Sequence, residues 1–328
     1  MSTFHTLHAA YEVARLRARA AAWRRHGRAR DAWPLAPSYR KVFIVGCPRS
    51  GTTWIRRLLA HHPRVISGPE SHAYPQVLGT FTDLGLRGAA GWRRVLDRYR
   101  RGDQRDLAVG LHHWVDRPTL HRFITAALAD SERSDEEAAT RVVQAIFDAY
   151  LLARGGTADH ILLEKTPDHV FWADRILRHD PEARVVEVLR DGRDVCVSLQ
   201  MRARTQQWPP RPRSDQIDMW VRFVSRGLAL RSDPALADRI LLVRFEDVKA
   251  QPLVQAERLL EFMGLSGTRE GLRRAVDAVS IDHNTRKGAG RHVRKGVVGD
   301  WRTHFSAEDL SLFDREAGTL FEQVGYTR

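Results

Sequence analysis

The sequence predicts an α/β fold: a P-loop-like, three-layer α/β/α arrangement with a central parallel sheet and a helical insert. Short apolar runs such as KVFIVG, at 41–46, alternate along the chain with segments of helical periodicity. Each run is almost continuously apolar, which is typical of strands covered on both faces of a parallel sheet. A glycine-containing loop follows the first run directly, as expected where a strand leads into an anion-binding turn.

The first half of the chain supplies two predicted strands. The strand at 41–46 precedes a helix at 52–61, and the segment HPRVISGPE predicts a short second strand that ends at Glu70. From 74 to 150 the pattern is mostly helical, which predicts an inserted region rather than a separate domain. We expect breaks in these helices at Gly85, Gly88, Gly91 and Pro118.

The second half repeats the alternation of strand and helix. HILLEKTP, RVVEVLRDG and RILLVRFEDV predict strands at 160–167, 184–192 and 239–248. Helices are expected at 171–180, 193–201, 217–230 and 252–265, and the Pro-rich segment at 205–216 predicts a loop. In such sheets ligands bind at the carboxyl ends of the strands, and the motifs described below all fall there.

The predicted domain organisation has two parts. Residues 1–40 form an N-terminal helical extension, and residues 41–328 form a single domain that contains the 74–150 insert. The segment 5–30 is helix-like, Arg-rich and almost free of acidic residues. We interpret it as a helix packed on the domain, with a transit segment or a membrane-surface helix as alternatives.

Composition limits the partners and the compartment. Lys and Arg outnumber Asp and Glu by 53 to 40, and the formal net charge is +13. Such a charge suits an anionic substrate, cofactor, nucleic acid or membrane surface, although a solvated basic surface accounts for most of the arginines. Cys47 and Cys196 have neither disulfide nor metal-ligand spacing, and no apolar run approaches a membrane span. We expect a cytoplasmic protein with buried thiols and no metal.

The loop after the first strand, within VFIVGCPRSGTTW at 42–54, has the glycine spacing of an ATP-binding loop but lacks its lysine. Gly46 and Gly51 are placed as in G-x-x-x-x-G-K-[ST], and Thr52 stands where the lysine belongs. The basic residue is inside the loop, at Arg49. Backbone N–H groups at a helix N-terminus still bind anions. Arg49, Thr52 and Thr53 supply further side-chain donors. Trp54 supplies a ring that either stacks on a base or packs inward.

Within this segment, CPRSGTTW resembles the 5′-phosphosulfate loop of sulfotransferases that use 3′-phosphoadenosine 5′-phosphosulfate (PAPS). Those enzymes carry P-[KR]-S-G-T-[TS], followed by Trp or Leu, in place of the ATP loop. The resemblance implies sulfuryl transfer from PAPS, with 3′-phosphoadenosine 5′-phosphate (PAP) as the product. The residues that it assigns to the co-substrate are Arg49, Ser50, Gly51, Thr52, Thr53 and Trp54. It also requires a second site for the 3′-phosphate, which ATP lacks.

The segment VVEVLRDGRDVCVSL meets that requirement. Arg190 ends a strand, Gly192 makes the turn, and Ser198 lies on the following helix. A strand-end arginine and a helix serine can converge on one phosphate, the arginine through its bidentate fork. The family's 3′-phosphate motif has this arginine and this serine at the same interval. Taken alone, the arginine is equally well explained by a pairing with Asp191 or Asp194.

A third match lies in HVRKGVVGDWRTHF, at 292–305. Cytosolic sulfotransferases close a loop of sequence R-K-G-x-x-G-D-W over PAPS. The resemblance implies that Arg294, Lys295 and Gly296 contact the 3′-phosphate. An earlier Arg-Lys-Gly at 286–288 lacks the G-D-W continuation. The dimerisation motif that follows G-D-W in cytosolic relatives is largely missing here, so the oligomeric state stays open.

The general base is indicated by two parts of the family. Many cytosolic members use the histidine of K-T-H, but the strand here reads ILLEKTPDH, with Lys165 kept and Pro167 in the place of the histidine. Tyrosylprotein and bacterial carbohydrate sulfotransferases use a glutamate in a segment that HPRVISGPESH resembles, and Glu70 falls at that glutamate. We expect Glu70 to be the base, with His72 or His169 as alternatives.

The catalytic roles follow from this resemblance. A glutamate can act as a base at neutral pH if partial burial raises its pKa. Lys165 and Arg49 then contact the transferring sulfuryl oxygens, whose charge needs stabilisation. Glu164 is expected to be structural.

These expectations describe an enzyme that transfers a sulfuryl group in line from PAPS to a hydroxyl of a sugar or a small-molecule natural product. The acceptor pocket would be walled by the 74–150 insert and by the 205–216 loop, which contains Trp208. The alternatives are an ATP-dependent P-loop kinase and a basic nucleic-acid-binding protein. A kinase would carry the loop lysine, and a nucleic-acid-binding protein would cluster basic and aromatic residues. The lysine is missing and many arginines are dispersed, so no nucleic acid is expected as a partner.

Overall fold

The computed structural model of the chain describes most of its length. The described residues are 2–26, 32–34, 38–104, 109–130, 132–205, 211–279 and 296–327. The chain divides into two compact units. The first unit contains residues 1–40 and 66–166, and the second contains residues 41–65 and 167–328.

The helices and strands follow in chain order. The N-terminal part contains α1 (Ser2–His26), β1 (Arg40–Gly46), α2 (Thr52–Leu59) and β2 (Val65–Ser67). The predicted insert contains a π-helical turn (Tyr74–Leu78), α3 (Gly79–Thr82), α4 (Gly88–Gln104), a 3₁₀ turn (Leu111–His113), α5 (Arg117–Ala129) and α6 (Asp135–Leu152). The middle part contains β3 (Ile161–Lys165), a 3₁₀ helix (Pro167–Trp172), α7 (Ala173–His179), β4 (Arg184–Leu189), α8 (Gly192–Thr205) and α9 (Arg213–Arg231). The C-terminal part contains a 3₁₀ turn (Ala237–Arg239), β5 (Ile240–Arg244), α10 (Phe245–Ala250), α11 (Pro252–Met263), α12 (Arg269–Val279), a 3₁₀ turn (Asp300–Thr303) and α13 (Ala307–Gln323).

The first unit is built mainly from the insert helices around large apolar side chains. Phe81, Trp92, Phe123 and Phe147 are fully buried, and each contributes about 1.5–3 kcal/mol to folding. Gly91 lies inside α4. A larger residue would not fit there, because a Cβ atom at this position would meet the ring of Phe81 at 2.2 Å. The predicted helix break at Gly91 is therefore wrong: the glycine serves packing.

The N-terminal helix α1 belongs to the first unit and packs on α4 and α5. Among its residues 11–23, Val13, Leu16 and Ala20 are buried, and this spacing places them on one helix face. Its Glu12 carboxylate pairs with the guanidinium of Arg117 on α5. The segment predicted to be an N-terminal helix is thus held by both apolar and charged contacts.

The second unit is built on parallel strands. β1, β4 and β5 lie side by side in that order, with Val45 opposite Glu187 and Val188 opposite Val243. β1 and β4 are buried along almost their whole length, as expected for strands covered on both faces. Because the strands are parallel, their carboxyl ends lie at one edge of the sheet. The loops after β1 and β4 start there.

The predicted fold class, a three-layer α/β/α arrangement around a central parallel sheet, is confirmed. The ends of three strands are predicted wrongly. β4 ends at Leu189 and not at residue 192, because α8 begins at Gly192. The second strand stops at Ser67, because Gly68 and Pro69 follow and a proline cannot donate to a strand ladder. β5 ends at Arg244, where α10 begins with acidic residues in its first turn that favour a helix start.

The predicted domain boundaries at 1–40 and 41–328 stay a prediction. In the part of the chain that the structure describes, no helix is both long enough and apolar enough to cross a membrane.

Candidate functional site

The loop between β1 and α2 requires glycine at two positions. Gly46 has a φ of 132°, and a Cβ atom there would meet the backbone oxygen of Val188 at 2.3 Å. Gly51 has a φ of 99°, and its Cβ would meet the ring of Phe245 at 2.3 Å. Only glycine adopts such φ values without strain. The two glycines that predicted an anion loop are therefore needed for its backbone course and for its close packing.

The N-terminus of α2 is suited to an anion. Its N-cap residue is Gly51, which has no side chain to cap the helix, and its first turn has no acidic residue. The hydroxyl oxygen of Ser50 and the indole nitrogen of Trp54 are buried without a hydrogen-bond partner among the described residues. Buried polar atoms without partners cost free energy, so both suit a polar ligand. Thr52 is buried and Thr53 is half-buried on the same turn.

Arg49 connects the loop to the second predicted motif. Its φ of 76° is uncommon for a residue other than glycine. Its Nε donates a hydrogen bond to Ser198 Oγ at 3.1 Å, and its carbonyl oxygen accepts one from Arg190 Nη1 at 3.2 Å. Three residues predicted to bind one co-substrate from two separate motifs are thus in direct contact within the second unit.

Arg190 is buried at the end of β4 in a polar and aromatic environment. Its Nη2 donates to the carbonyl oxygen of Val297 at 3.0 Å and lies 3.7 Å from Asp194 Oδ2. The guanidinium carbon lies 4.6 Å from the centre of the Phe245 ring. Burial lowers the pKa of Arg190, and Asp194 and other nearby carboxylates oppose that shift. Its Nε has no hydrogen-bond partner among the described residues.

The loop with the G-D-W sequence is tied to the start of α8 by Asp194. One carboxylate oxygen accepts from Gly299 N at 2.8 Å and the other accepts from Trp301 N at 3.0 Å. Gly299 adopts a φ of 78°. The guanidinium of Arg193 lies 3.8 Å above the Trp301 ring. Sequence reasoning considered Asp194 only as a partner of Arg190; its role in anchoring this loop is a finding of the structure.

Part of the third predicted motif lies outside the described residues. Arg294 and Lys295 are among the residues that the structure leaves undescribed, as is the Arg-Lys-Gly at 286–288. Gly296 is described and has a φ of 55°. Trp208 of the Pro-rich segment also lies outside the described part.

In the first unit, Glu70 lies between two basic side chains. Lys165 Nζ donates to Glu70 Oε1, and His72 Nε2 lies 3.4 Å from Glu70 Oε2. Burial acts to raise the pKa of Glu70, but the hydrogen bond with His72 and the charge of Lys165 outweigh it, and the pKa falls to about 2. The condition stated for a base at neutral pH, that partial burial raises the pKa, is therefore not met.

A buried polar network holds the Glu70 segment in place. Thr166 Oγ1 accepts from Ser71 N at 3.1 Å and from His72 N at 3.3 Å, and it donates to Glu164 Oε1 at 2.6 Å. The Ser71 hydroxyl donates to the same oxygen of Glu164 at 2.8 Å. These contacts fix His72 at a φ of 51°, an uncommon value for this residue. The structural role expected for Glu164 is observed, while the role of Thr166 was missed.

The insert also contacts the backbone next to Glu70. Gly110 N donates to Glu70 O at 2.7 Å, and Trp114 Nε1 donates to Pro69 O at 3.0 Å. Trp114 lines a cavity of about 560 Å³ in the first unit. The other polar and aromatic residues that line this cavity include Trp33, His112, His113, Asp116 and Arg122.

The remaining candidates lie in the second unit. His169 is completely buried and packs edge-on against Phe43, with 6.1 Å between the ring centres. Cys47 and Cys196 are free and buried; burial raises the pKa of Cys47, and it raises that of Cys196 to about 12. In the described ranges, no group of three or more His, Cys, Asp or Glu side chains could hold a metal ion.

Comparison with known proteins gives one consistent result. A family model described as the sulfotransferase family matches residues 41–269. A Caenorhabditis briggsae protein named as a protein-tyrosine sulfotransferase is 23% identical over 292 residues, which cover 87% of this chain and 88% of that protein. Cytosolic sulfotransferase 17 of Arabidopsis thaliana is 26% identical over 175 residues, covering 44% of this chain and 51% of that protein.

A solved structure shares the fold. The sulfotransferase domain of the olefin synthase from Synechococcus PCC 7002 aligns with a TM-score of 0.51 and 21% identity. The alignment covers 89% of this chain and 97% of that domain.

Proposed function

Because the chain belongs to the sulfotransferase family, we propose that its second unit binds PAPS and that Glu70 takes the proton of the acceptor hydroxyl during sulfuryl transfer. The observation that carries the proposal is the contact of Arg49 with both Ser198 and Arg190. It joins a residue of the 5′-phosphosulfate loop to both anchors of the 3′-phosphate motif. ATP has no 3′-phosphate, so an ATP-binding site would not need Arg190 and Ser198 beside the loop.

The proposed co-substrate contacts include three buried atoms that have no hydrogen-bond partner among the described residues: Ser50 Oγ, Trp54 Nε1 and Arg190 Nε. The 5′-phosphosulfate would accept from the first-turn N–H groups of α2 and from Ser50, Thr52 and Thr53. The 3′-phosphate would accept from Arg190 and Ser198, with Arg294, Lys295 and Gly296 as further contacts. Trp54 offers a flat ring and an indole N–H next to the loop. Fixed donors aimed at a charged group stabilise it without reorganisation cost.

The chemical step moves one group and one proton. The acceptor oxygen forms a bond to sulfur in line with the leaving phosphate oxygen, and the bond from sulfur to that oxygen breaks with its electron pair. PAP leaves, and the acceptor proton passes to the Glu70 carboxylate. Arg49 and Lys165 stabilise the charge on the sulfuryl oxygens. A positioned base contributes about 10²- to 10⁴-fold to such a step.

The low pKa of Glu70 bears directly on this role. A carboxylate with a pKa of about 2 is a weak base. Lys165 is one of the groups that lower the pKa of Glu70, and the burial of Glu70 is the largest influence that raises it. In the proposed step, the Lys165 ammonium bonds to the sulfuryl oxygens instead of to Glu70. The pKa of Glu70 then rises at the moment at which a base is needed.

The acceptor is proposed to be a hydroxyl of a sugar or a small-molecule natural product. The hydrogen bond from Gly110 to Glu70 O and that from Trp114 to Pro69 O support a role of the insert in shaping the acceptor site. A cytoplasmic location is part of the same proposal, because both cysteines are buried and free. The oligomeric state stays open.

Thermal-shift measurements test the co-substrate. We expect PAP to raise the melting temperature of the full chain at concentrations at which ATP with magnesium, or a mixed-sequence oligonucleotide, has little effect. Ligands that bind the native state stabilise it by RT ln(1 + [L]/Kd). Stabilisation by ATP with magnesium but not by PAP would contradict the proposal.

A further inference from the structure

The chain directly after β5 contacts both parts of the proposed co-substrate site. Phe245, the first residue of α10, is buried. Its ring lies beneath the guanidinium of Arg190, and it would also be struck by a Cβ atom at Gly51. A single aromatic ring therefore supports the 3′-phosphate arginine and the glycine that begins α2.

The next residue, Glu246, uses both of its carboxylate oxygens. Oε1 accepts a hydrogen bond from Asp191 N at 2.9 Å, and Oε2 accepts one from the Tyr326 hydroxyl at 2.9 Å. Asp191 directly follows Arg190, so the first bond fixes the backbone at the point from which the Arg190 side chain departs. Trp220 Nε1 fixes the other side of the same peptide by donating to Arg190 O at 3.0 Å.

The C-terminal segment holds Glu246 in turn. The ring of Tyr326 stacks on Phe321, with 4.8 Å between centres and an angle of 13° between planes. The guanidinium of Arg244 lies 4.7 Å from the Tyr326 ring on this segment. The Tyr326 hydroxyl is thus held in a fixed position when it donates to Glu246.

A second path joins the C-terminal segment to the same turn. Arg193 donates to both carboxylate oxygens of Asp191, at 2.8 to 3.3 Å, and to the carbonyl oxygen of Thr327 at 3.4 Å. Its guanidinium also stacks on Trp301, which belongs to the loop anchored by Asp194. The turn after Arg190 is therefore enclosed between α10 and the C-terminal residues.

We propose that Glu246 is a positioning residue for the 3′-phosphate of the co-substrate, because it holds the backbone of Arg190 and Asp191, and that Tyr326 holds Glu246 for this purpose. The inference rests on the proposed binding of PAPS. An arginine that binds phosphate through its fork depends on orientation as well as charge. Binding groups need support to within about 0.5 Å to be effective. Glu246 supplies this support without contacting the ligand.

The test compares two nucleotides that differ in the 3′-phosphate. Calorimetry gives the dissociation constants of PAP and of 5′-AMP for the full chain and its variants. We expect Glu246→Ala to weaken PAP binding about tenfold, the scale of one hydrogen bond to a charged group, and to change 5′-AMP binding less than about twofold. Glu246→Gln should restore the PAP preference. Its amide oxygen can accept from Asp191 N, and its amide nitrogen can donate to the Tyr326 oxygen.

Hydroxyl deletions provide a matched pair. Tyr326→Phe keeps the ring that stacks on Phe321 and should reduce the PAP preference about two- to threefold, since only the support of Glu246 is lost. Tyr39→Phe removes a hydroxyl that donates to Asp148 in the first unit at 2.6 Å, and it should leave the preference unchanged. A role in folding alone would lower the melting temperature without changing the ratio of the two affinities.

The possible results separate the two proposals. An unchanged PAP preference in Glu246→Ala, or an equal loss of both nucleotides, would overturn the positioning role. If Glu246→Ala does not fold, an unchanged preference in Tyr326→Phe would overturn it. A wild-type chain that binds PAP no better than 5′-AMP would instead contradict the proposed function.

Discussion

The two units hold their candidate functional residues by different means. In the second unit, backbone conformation is decisive: Gly46, Arg49 and Gly51 all have positive φ values, and Arg190 is held by hydrogen bonds from its side chain and to its carbonyl. In the first unit, the decisive contacts join side chains, since Lys165 and His72 both contact the carboxylate of Glu70. A candidate anion site formed by backbone groups can be recognised from the spacing of its glycines in the sequence. The pKa of a carboxylate cannot be recognised in this way, because it depends on partners that are distant in sequence.

The largest expected effect separates charge from geometry at Arg190. Arg190→Met removes the fork and the charge, and we expect PAP affinity to fall at least about hundredfold, because hydrogen bonds between charged groups are worth about 1.5–3 kcal/mol each. Arg190→Lys keeps the charge but not the fork, and it should recover only part of the affinity. Calorimetry with PAP and 5′-AMP measures both. Equal losses for the two nucleotides would place the 3′-phosphate elsewhere.

A smaller effect tests the backbone-built site through two glycines. Gly51 and Gly155 both have positive φ, but a Cβ at Gly51 would meet Phe245 at 2.3 Å, while a Cβ at Gly155 would have nothing within 4 Å. Gly155→Ala should cost about 1–2 kcal/mol of stability from its φ alone. Gly51→Ala should cost more in urea unfolding, and it should also weaken PAP binding. Similar stability losses with unchanged PAP binding in both variants would show that the close packing of the loop is not needed.

The pH dependence of the rate tests the side-chain-built site. Glu70 has its pKa lowered to about 2, so its carboxylate stays ionised and kcat/KM should show no acidic limb from this group above pH 4. Lys165→Met removes a cation that lowers this pKa, so the pKa of Glu70 should rise. The residual kcat/KM would then decline as the pH falls through the higher value. Lys165→Arg keeps a cation and should retain the wild-type profile, without an acidic limb. Identical profiles in all three proteins would remove Lys165 from control of Glu70.

Much of the fold and of the anion site could be predicted from the sequence. Continuous apolar runs placed β1, β3 and β4, because strands buried on both faces need apolar residues at every position. The glycine spacing located the loop that contains Arg49, and the family resemblance located Arg190 and Ser198. The structure brings Arg49 into contact with both.

The remainder depends on contacts between distant parts of the chain. The lowered pKa of Glu70 could not be foreseen, because Lys165 was assigned to the sulfuryl group and not recognised as a partner of Glu70. The segment after β5 was predicted to continue the strand, because Phe245 and Val248 are apolar; the helical turn there places Glu246 against Asp191. Neither contact has a signal in local periodicity.

The proposed role of Glu70 as a base can be separated from PAP binding in one variant, Glu70→Gln. The substitution keeps the size of the side chain and removes its capacity to accept a proton. PAP affinity by calorimetry and the rate of PAP formation from PAPS would be measured with an acceptor that the wild type sulfates, found by screening sugars, phenols and natural products. We expect PAP affinity within about threefold of wild type and a rate at least about hundredfold lower, the scale of a lost general base. A rate within about tenfold of wild type would contradict the role of Glu70 and move it to His72 or His169.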